Sequence, residues 1–127
     1  MTNRERKVRK PVIAVDFDGT LCSSAYPDIG EPNRPLIERL KEMQGADCLL
    51  ILWTCREGEL LDKAVEWCRG HGLIFDAVND NVQQHKDRFG TDPRKVGADI
   101  YIDDKNVLID NFSEVLHNES PLHGLCK

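Results

Sequence analysis

Four short apolar runs divide the chain, and each has a length typical of a strand rather than a helix. They span residues 11–16, 48–53, 73–78 and 98–102. The first two are almost continuously aliphatic, which predicts strands that are buried on both faces, as in a parallel sheet covered by helices. The third run is weaker, and the fourth alternates enough with polar residues to predict a less buried place in the sheet.

Between these runs, apolar residues recur at helical spacing. Asn33 is a suitable N-cap for a helix that has Pro35 in its first turn, and we expect this helix to end near Gly45. A second helix is predicted over 57–69. Residues 82–90 fit a short helix or a loop equally well.

The alternation of strands and helices predicts an α/β fold. We expect a three-layer α/β/α sandwich around a Rossmann-like parallel sheet of four to five strands. A single domain over 11–127 would hold this sheet, with 107–109 as a short edge strand and 111–117 as a last helical turn or two. Residues 1–10 are polar and strongly basic, and we predict that they form a flexible arm.

Polar side chains follow three of the predicted strands. Asp16, Thr54 and Asp103 each stand at the carboxyl end of a strand, which is the edge where parallel sheets bind ligands. Asp16 and Asp18 share one side of an extended backbone, and Gly19 permits a tight turn beside them. A plain hairpin at Asp18 and Gly19 is the alternative, but no second alternating strand follows that could pair back.

Charge and cysteine content narrow the class of partner. The chain has 17 basic and 22 acidic side chains, a net charge of −5, which disfavours nucleic acid or anionic membrane as the main partner. Five cysteines form no C-x-x-C pair, so we expect neither a zinc site nor a disulfide framework. No apolar stretch is long enough to span a bilayer and no signal-peptide pattern precedes the first strand, so we expect a cytoplasmic protein.

The stretch Asp16-Phe17-Asp18-Gly19-Thr20 resembles the nucleophile motif of the haloacid dehalogenase-like (HAD) superfamily of phosphatases and phosphotransferases. That motif is a buried strand ending in D-x-D-G-T. The resemblance implies that Asp16 is the nucleophile and Asp18 the general acid/base. Phosphoryl transfer through an aspartyl phosphate needs both roles, since one group attacks phosphorus and another moves the proton of the leaving group.

A bound cation is expected beside these acids. Asp16, Asp18, Asp103 and Asp104 would repel each other and a phosphate unless a cation offset their charge, and Mg²⁺ prefers oxygen ligands of this kind. The resemblance implies the Asp16 carboxylate, the Asp18 backbone carbonyl and one acid of the Asp103–Asp104 pair as ligands, with Asp103 favoured. The alternative for that pair is an exposed turn or an N-cap.

Two further family motifs have weaker counterparts. Thr54 resembles the second motif, a hydroxyl that donates a hydrogen bond to a phosphoryl oxygen, although an ordinary helix cap explains it equally well. For the lysine of the third motif we favour Lys95, just upstream of the fourth strand, over Lys86. Arg56 is predicted to bind a second anionic group of the substrate; the alternative is a salt bridge with Glu59 or a neighbouring acid.

The chain has little room for the cap that HAD members normally insert. Only residues 22–33 are available after the first motif, so the chain resembles the small capless bacterial and phage-borne type. Tyr26 and Ile29 would then flank the leaving group, and oligomerisation is a route to a lid.

These features predict a Mg²⁺-dependent phosphomonoester hydrolase that acts on a phosphorylated small molecule or polymer end. One alternative is a nucleotide or polynucleotide-end phosphatase, for which the basic arm is the only support. The other is a non-enzymatic module of the same fold that binds an anion or a partner.

Overall fold

The structure is a computed structural model that describes residues 9–105. Two predicted elements, the edge strand over 107–109 and the helical turns over 111–117, lie outside the described residues. Most of the predicted arm over 1–10 lies outside them as well.

Strands and helices alternate along the described residues, as the sequence predicted. The elements are β1 (Val12–Val15), α1 (Arg34–Gly45), β2 (Leu49–Leu52), α2 (Gly58–Gly70), β3 (Ala77–Val78), α3 (Gln83–Phe89) and β4 (Ile100–Ile102). The prediction of an α/β fold is confirmed. For the segment 82–90, the sequence fitted a short helix and a loop equally well, and the structure has the helix α3 there.

The four strands form one parallel sheet in the order β3-β2-β1-β4. The chain builds outward from β1 through β2 to β3 and then returns to the other side of β1 for β4. At the end of β1, Val15 lies opposite Leu52 of β2 and Ile102 of β4. The order of strands therefore reverses between β1 and β4, where ligands of such sheets bind.

Side chains of β1 and β2 are buried on both faces of the sheet. On one face, Ile13 and Val15 pack in a core with Leu50 and Leu52 and with buried residues of α1 and α2. On the other face, Val12, Ala14 and Ile51 form a second core with Val82 and Val96. The continuous aliphatic runs follow from this double burial, because every residue of the two strands is buried except Leu49, which is half-buried.

The outer strands are shorter than predicted. β3 has only two residues, and Asp76, which precedes it, instead exchanges hydrogen bonds with Leu50 through its side chain (2.8 Å) and its backbone N–H (2.8 Å). Within residues 9–105, β4 is the last strand on its side of the sheet, and Ile100 and Tyr101 are 48% and 37% exposed. The prediction that the fourth strand is less buried is confirmed.

Asn33 connects the start of α1 to the turn that follows β1. Its side-chain oxygen accepts from the backbone N–H of Leu36 at 3.4 Å, and its amide donates to the carbonyl of Thr20 at 3.0 Å. Its backbone N–H also donates to the carbonyl of Leu21 at 2.8 Å. The predicted N-cap is confirmed, and it holds the motif turn as well as the helix.

The last two residues of the predicted arm contact the domain. Arg9 pairs with Asp99 at 2.6 Å, and the backbone of Lys10 exchanges two hydrogen bonds with the Gln84 side chain. Arg9 and Lys10 are thus part of the folded unit. Within residues 9–105, no helix has the length and apolar character needed to cross a membrane.

We expect Asn33→Ala to lower the free energy of unfolding by about 1 kcal/mol, because the cap and the bond to the Thr20 carbonyl are lost together. Asn33→Ser keeps a cap acceptor and loses only the amide, so its loss should be smaller. Urea unfolding of the three proteins measures both values. Equal stability of Asn33→Ala and wild type would contradict this role.

Candidate active site

Two acidic segments meet at the point where the strand order reverses. Asp16 follows β1, and its backbone N–H donates to the carbonyl of Ile102 in β4 at 2.9 Å. This pairing places the residues after β4 directly beside Asp16. One carboxylate oxygen each of Asp16, Asp103 and Asp104 can be chosen so that all three lie within 4.8 Å of one another. The predicted convergence of these acids at one edge is present.

Gly19 makes the close approach of the two segments possible. Its φ is +82°, which side chains other than hydrogen rarely allow, and a Cβ atom at this position would collide with the Asp104 carboxylate. The turn also brings the Thr20 hydroxyl to 3.3 Å from an oxygen of Asp16, to which it donates. Glycine is therefore required at position 19 for two reasons: the backbone conformation of the turn and the space taken by the Asp104 carboxylate.

The acidic cluster changes the protonation of Asp16. The pKa of Asp16 is raised to about 6, mainly because burial disfavours the charged form, and the negative charges of Asp103 and Asp104 act in the same direction. Ionising all three groups together is therefore unfavourable without a cation. Three carboxylates form a donor set suited to a hard divalent ion, although they do not by themselves distinguish Mg²⁺ from other such ions.

Thr54 lies at the end of β2 with its hydroxyl proton available. Its backbone N–H donates to the side chain of Asn79 at 2.8 Å, and its hydroxyl oxygen accepts from the backbone N–H of Arg56 at 3.1 Å. Because the oxygen is used as an acceptor, the O–H remains able to donate to a ligand. Asn79, which has a φ of +52°, positions this residue from β3.

Arg56 binds Asp18. Its Nε and Nη2 each donate to a different oxygen of the Asp18 carboxylate, both at 2.8 Å, and Arg56 is only 2% exposed. The prediction that Arg56 binds a second anionic group does not fit this arrangement, since its fork is already occupied. The alternative of a salt bridge with a neighbouring acid does fit, and the acid is Asp18.

The remaining donors of Arg56 hold the loop that follows the first motif. Nη1 donates to the carbonyl of Pro27 at 3.1 Å and Nη2 to that of Asp28 at 2.8 Å. The guanidinium carbon lies 5.0 Å from the ring centre of Phe17 and 5.2 Å from that of Tyr26. One buried side chain thus joins β1, the loop and the start of α2.

The three lysines near this edge have different surroundings. Lys86 of α3 donates to Asp80, in the segment between β3 and α3, at 3.0 Å. Lys95 lines a cavity with Asp103 and Trp53, and its ammonium lies 5.3 Å from the ring centre of Tyr101. Lys105, which the sequence analysis did not consider, lines a cavity together with Asp16 and Asp18.

This last cavity, which we call the active-site cavity, has a volume of about 290 Å³. Its lining combines both acids of the first motif with polar and aromatic groups: Asp16, Asp18, Tyr26, Thr54, Cys55, Arg56 and Lys105. A neighbouring cavity of about 250 Å³ shares Asp16, Thr54 and Cys55 with it and is also lined by Asp103. The two cavities are therefore adjacent at Asp16 and Thr54.

Sequence reasoning missed several residues that support the site. Lys105 directly follows Asp103 and Asp104, and its place after the fourth strand was a usable signal. Asn79 directly follows β3 and has a left-handed backbone conformation, which Asn adopts more often than most residues. Asn81 had no signal: it is 3% exposed and binds Asp92, Pro93 and Gly97, holding the loop that contains Lys95.

No family model matches this chain, and no curated protein matches it. Among solved structures, the conserved protein coded by a locus of Bacteroides thetaiotaomicron is 48% identical, with 78% of this chain and 79% of that chain covered and a TM-score of 0.69. The chain belongs to the family of this Bacteroides protein. The shared region is most of both chains, so the family membership extends to the fold described above.

We expect Arg56→Ala to lower the free energy of unfolding by about 3 kcal/mol or more, because it leaves the Asp18 carboxylate and two loop carbonyls without a partner. Arg56→Lys should recover only part of this loss, since an ammonium cannot form the bidentate pair. Urea unfolding measures the difference. As the control, Arg69→Lys in an exposed ion pair with Glu66 should change stability by less than about 0.5 kcal/mol.

We expect the metal-free protein to lose stability, relative to Asp16→Asn, as the pH rises from 5 to 7. The folded protein holds the Asp16 proton more tightly than an unfolded chain, whose Asp pKa is about 4, so the unfavourable ionisation is complete only above about pH 6. Thermal unfolding in EDTA at pH 5, 6 and 7 tests this. Melting temperatures that change in parallel for the two proteins would contradict it.

Proposed function

We propose that this chain is a Mg²⁺-dependent phosphatase that hydrolyses phosphomonoesters through an aspartyl phosphate on Asp16. The observation that supports this most is the meeting of Asp16 with Asp103 and Asp104 beside the hydroxyl of Thr54. A nucleophile, a cation site and a phosphoryl-binding donor are three of the components that phosphoryl transfer requires, and Asp18 would be the proton source. The D-x-D-G-T stretch from Asp16 to Thr20 adds the resemblance to the HAD superfamily.

In the proposed reaction, an oxygen of the Asp16 carboxylate attacks the substrate phosphorus. The bond from phosphorus to Asp16 forms as the bond to the leaving oxygen breaks, and Asp18, which enters this step protonated, gives its proton to that oxygen. In the second step Asp18 takes a proton from water, and the water oxygen displaces Asp16 from phosphorus. One water is consumed, and an alcohol and inorganic phosphate are released.

A divalent ion held by Asp16, Asp103 and Asp104 would offset the negative charge of the carboxylates and of the phosphoryl group. The hydroxyl of Thr54 then donates a hydrogen bond to a phosphoryl oxygen. Lys105 and Lys95 supply positive charge from the active-site cavity and from the side of Asp103, respectively. Of these two, Lys95 remains our assignment for the lysine of the third family motif.

Arg56 has a positioning role in this scheme. Each oxygen of the Asp18 carboxylate accepts one N–H of Arg56 and keeps a lone pair for the proton that it transfers. The same arginine holds the backbone of the loop after the first motif. The acid/base and the adjacent loop are therefore positioned by one group before a substrate arrives.

We further propose the capless form of a three-layer sandwich for this enzyme, with the short segment 22–33 in place of a cap. Two apolar cores on opposite faces of the sheet support the layered arrangement. A cytoplasmic location is supported by the four cysteines of the described residues, all of which are free.

We expect wild-type protein to hydrolyse p-nitrophenyl phosphate only with Mg²⁺, and Asp16→Asn to lower kcat by several orders of magnitude, because the attacking oxygen is replaced by a poor nucleophile. Initial rates with Mg²⁺ and with EDTA measure both effects. Asp62→Asn, the same change at an exposed position on α2, should leave the rate unchanged. Turnover that needs no metal, or that survives in Asp16→Asn, would favour a non-enzymatic anion-binding module with a contaminating activity.

A further inference from the structure

We propose that Tyr26 is a stacking surface for the leaving group, and that the preferred substrates are phosphomonoesters whose leaving group contains a flat aromatic ring. This inference rests on the proposed phosphatase function and adds a substrate class to it. A flat aromatic ring of this kind is present in the leaving groups of aryl and arylmethyl phosphates and of nucleoside monophosphates. The experiment below distinguishes these sources.

The first observation is where the exposed ring lies. Tyr26 is 62% exposed and lines the active-site cavity together with Asp16, Asp18 and Thr54. Large apolar side chains that are exposed singly are common on protein surfaces and need no function. Tyr26 differs because its exposed surface is in the same cavity as the proposed nucleophile, where a leaving group must be held.

The second observation is how the ring is held. The Arg56 guanidinium lies over one face of the ring, with its carbon 5.2 Å from the ring centre. Arg56 also binds the carbonyls of Pro27 and Asp28, the two residues that follow Tyr26, and it is itself buried and paired with Asp18. The Tyr26 ring is therefore held on one face by a buried cation. This lowers the entropy cost of binding a ligand on the opposite face.

The chemistry of that open face selects the ligand. A face of an aromatic ring stacks favourably on another flat aromatic ring, whereas a saturated ring of the same size lacks the flat π surface. The stacking free energy of bases on aromatic side chains corresponds to roughly 5- to 150-fold in affinity. We therefore expect an aromatic leaving group to gain about tenfold over its saturated counterpart.

Steady-state kinetics with benzyl phosphate and cyclohexylmethyl phosphate test this inference. Both release a primary alcohol, so they differ mainly in the flatness of the ring and little in leaving-group acidity. We expect a ratio of kcat/KM of about 10 in wild type and in Tyr26→Phe, and of about 1 in Tyr26→Leu. AMP compared with ribose 5-phosphate is the second pair, and whichever pair shows the larger ratio identifies the source of the ring.

The matched control is Phe89→Leu. Like Tyr26, Phe89 is largely exposed (59%), and the guanidinium carbon of Arg88 lies 5.5 Å from its ring centre. Phe89 differs in that it lies at the end of α3 and lines a different cavity. This change should leave the benzyl to cyclohexylmethyl ratio as in wild type. A wild-type ratio near 1 in both pairs, or a ratio that persists in Tyr26→Leu, would overturn the role of Tyr26.

A binding measurement separates this inference from the proposed function. Benzylphosphonate and cyclohexylmethylphosphonate cannot be hydrolysed, and their affinities in the presence of Mg²⁺ are measurable by calorimetry for each folded variant. Tighter binding of the aromatic ligand that is lost in Tyr26→Leu, without turnover of any phosphate, would refute the phosphatase and keep the stacking surface. Equal binding of the two phosphonates would refute the stacking surface, whatever the catalytic result.

Discussion

The parallel pairing of β1 with a strand on each side decides where Asp16, Thr54 and Asp103 lie. β2 and β4 both pair with β1, so the residues that follow all three strands meet at one edge. The cores on the two faces of the sheet hold this pairing, because the side chains of β1 alternate between them. Asp16 thereby directly follows a strand that is buried and paired on both sides, which would suit a group that meets a ligand in a defined geometry.

Electrostatic repulsion and attraction are distributed unequally at this edge. On the β4 side, Asp16, Asp103 and Asp104 lie together, and burial with their mutual repulsion raises the pKa of Asp16 to about 6. On the β2 side, Asp18 is paired with the buried guanidinium of Arg56. Among residues 9–105, the two aspartates of one short motif thus have opposite surroundings: Asp16 lies beside two other acids, and Asp18 lies beside a cation.

Arg56 links catalytic geometry to substrate selection in our proposals. The same guanidinium holds Asp18, two carbonyls of the adjacent loop and the ring of Tyr26. In the capless form that we propose, the loop over 22–33 is too short to enclose a substrate. A loop held by the buried guanidinium of Arg56 would instead present the Tyr26 ring as a fixed surface. Such a surface would orient a ligand without enclosing it.

The sequence by itself determined the α/β class, the central buried strands, the cap at Asn33 and the acids at the strand ends, because burial on both faces and tight turns restrict residue type locally. It did not determine the short extent of β3, the partner of Arg56, or the approach of Lys105 to Asp16. These depend on which loops pack together after the sheet forms. The local sequence around an arginine does not distinguish a buried side chain from an exposed one. Only the tertiary structure decided that Arg56 would neutralise Asp18 rather than face a ligand, since that choice follows from the distance between two loops and from the burial they impose.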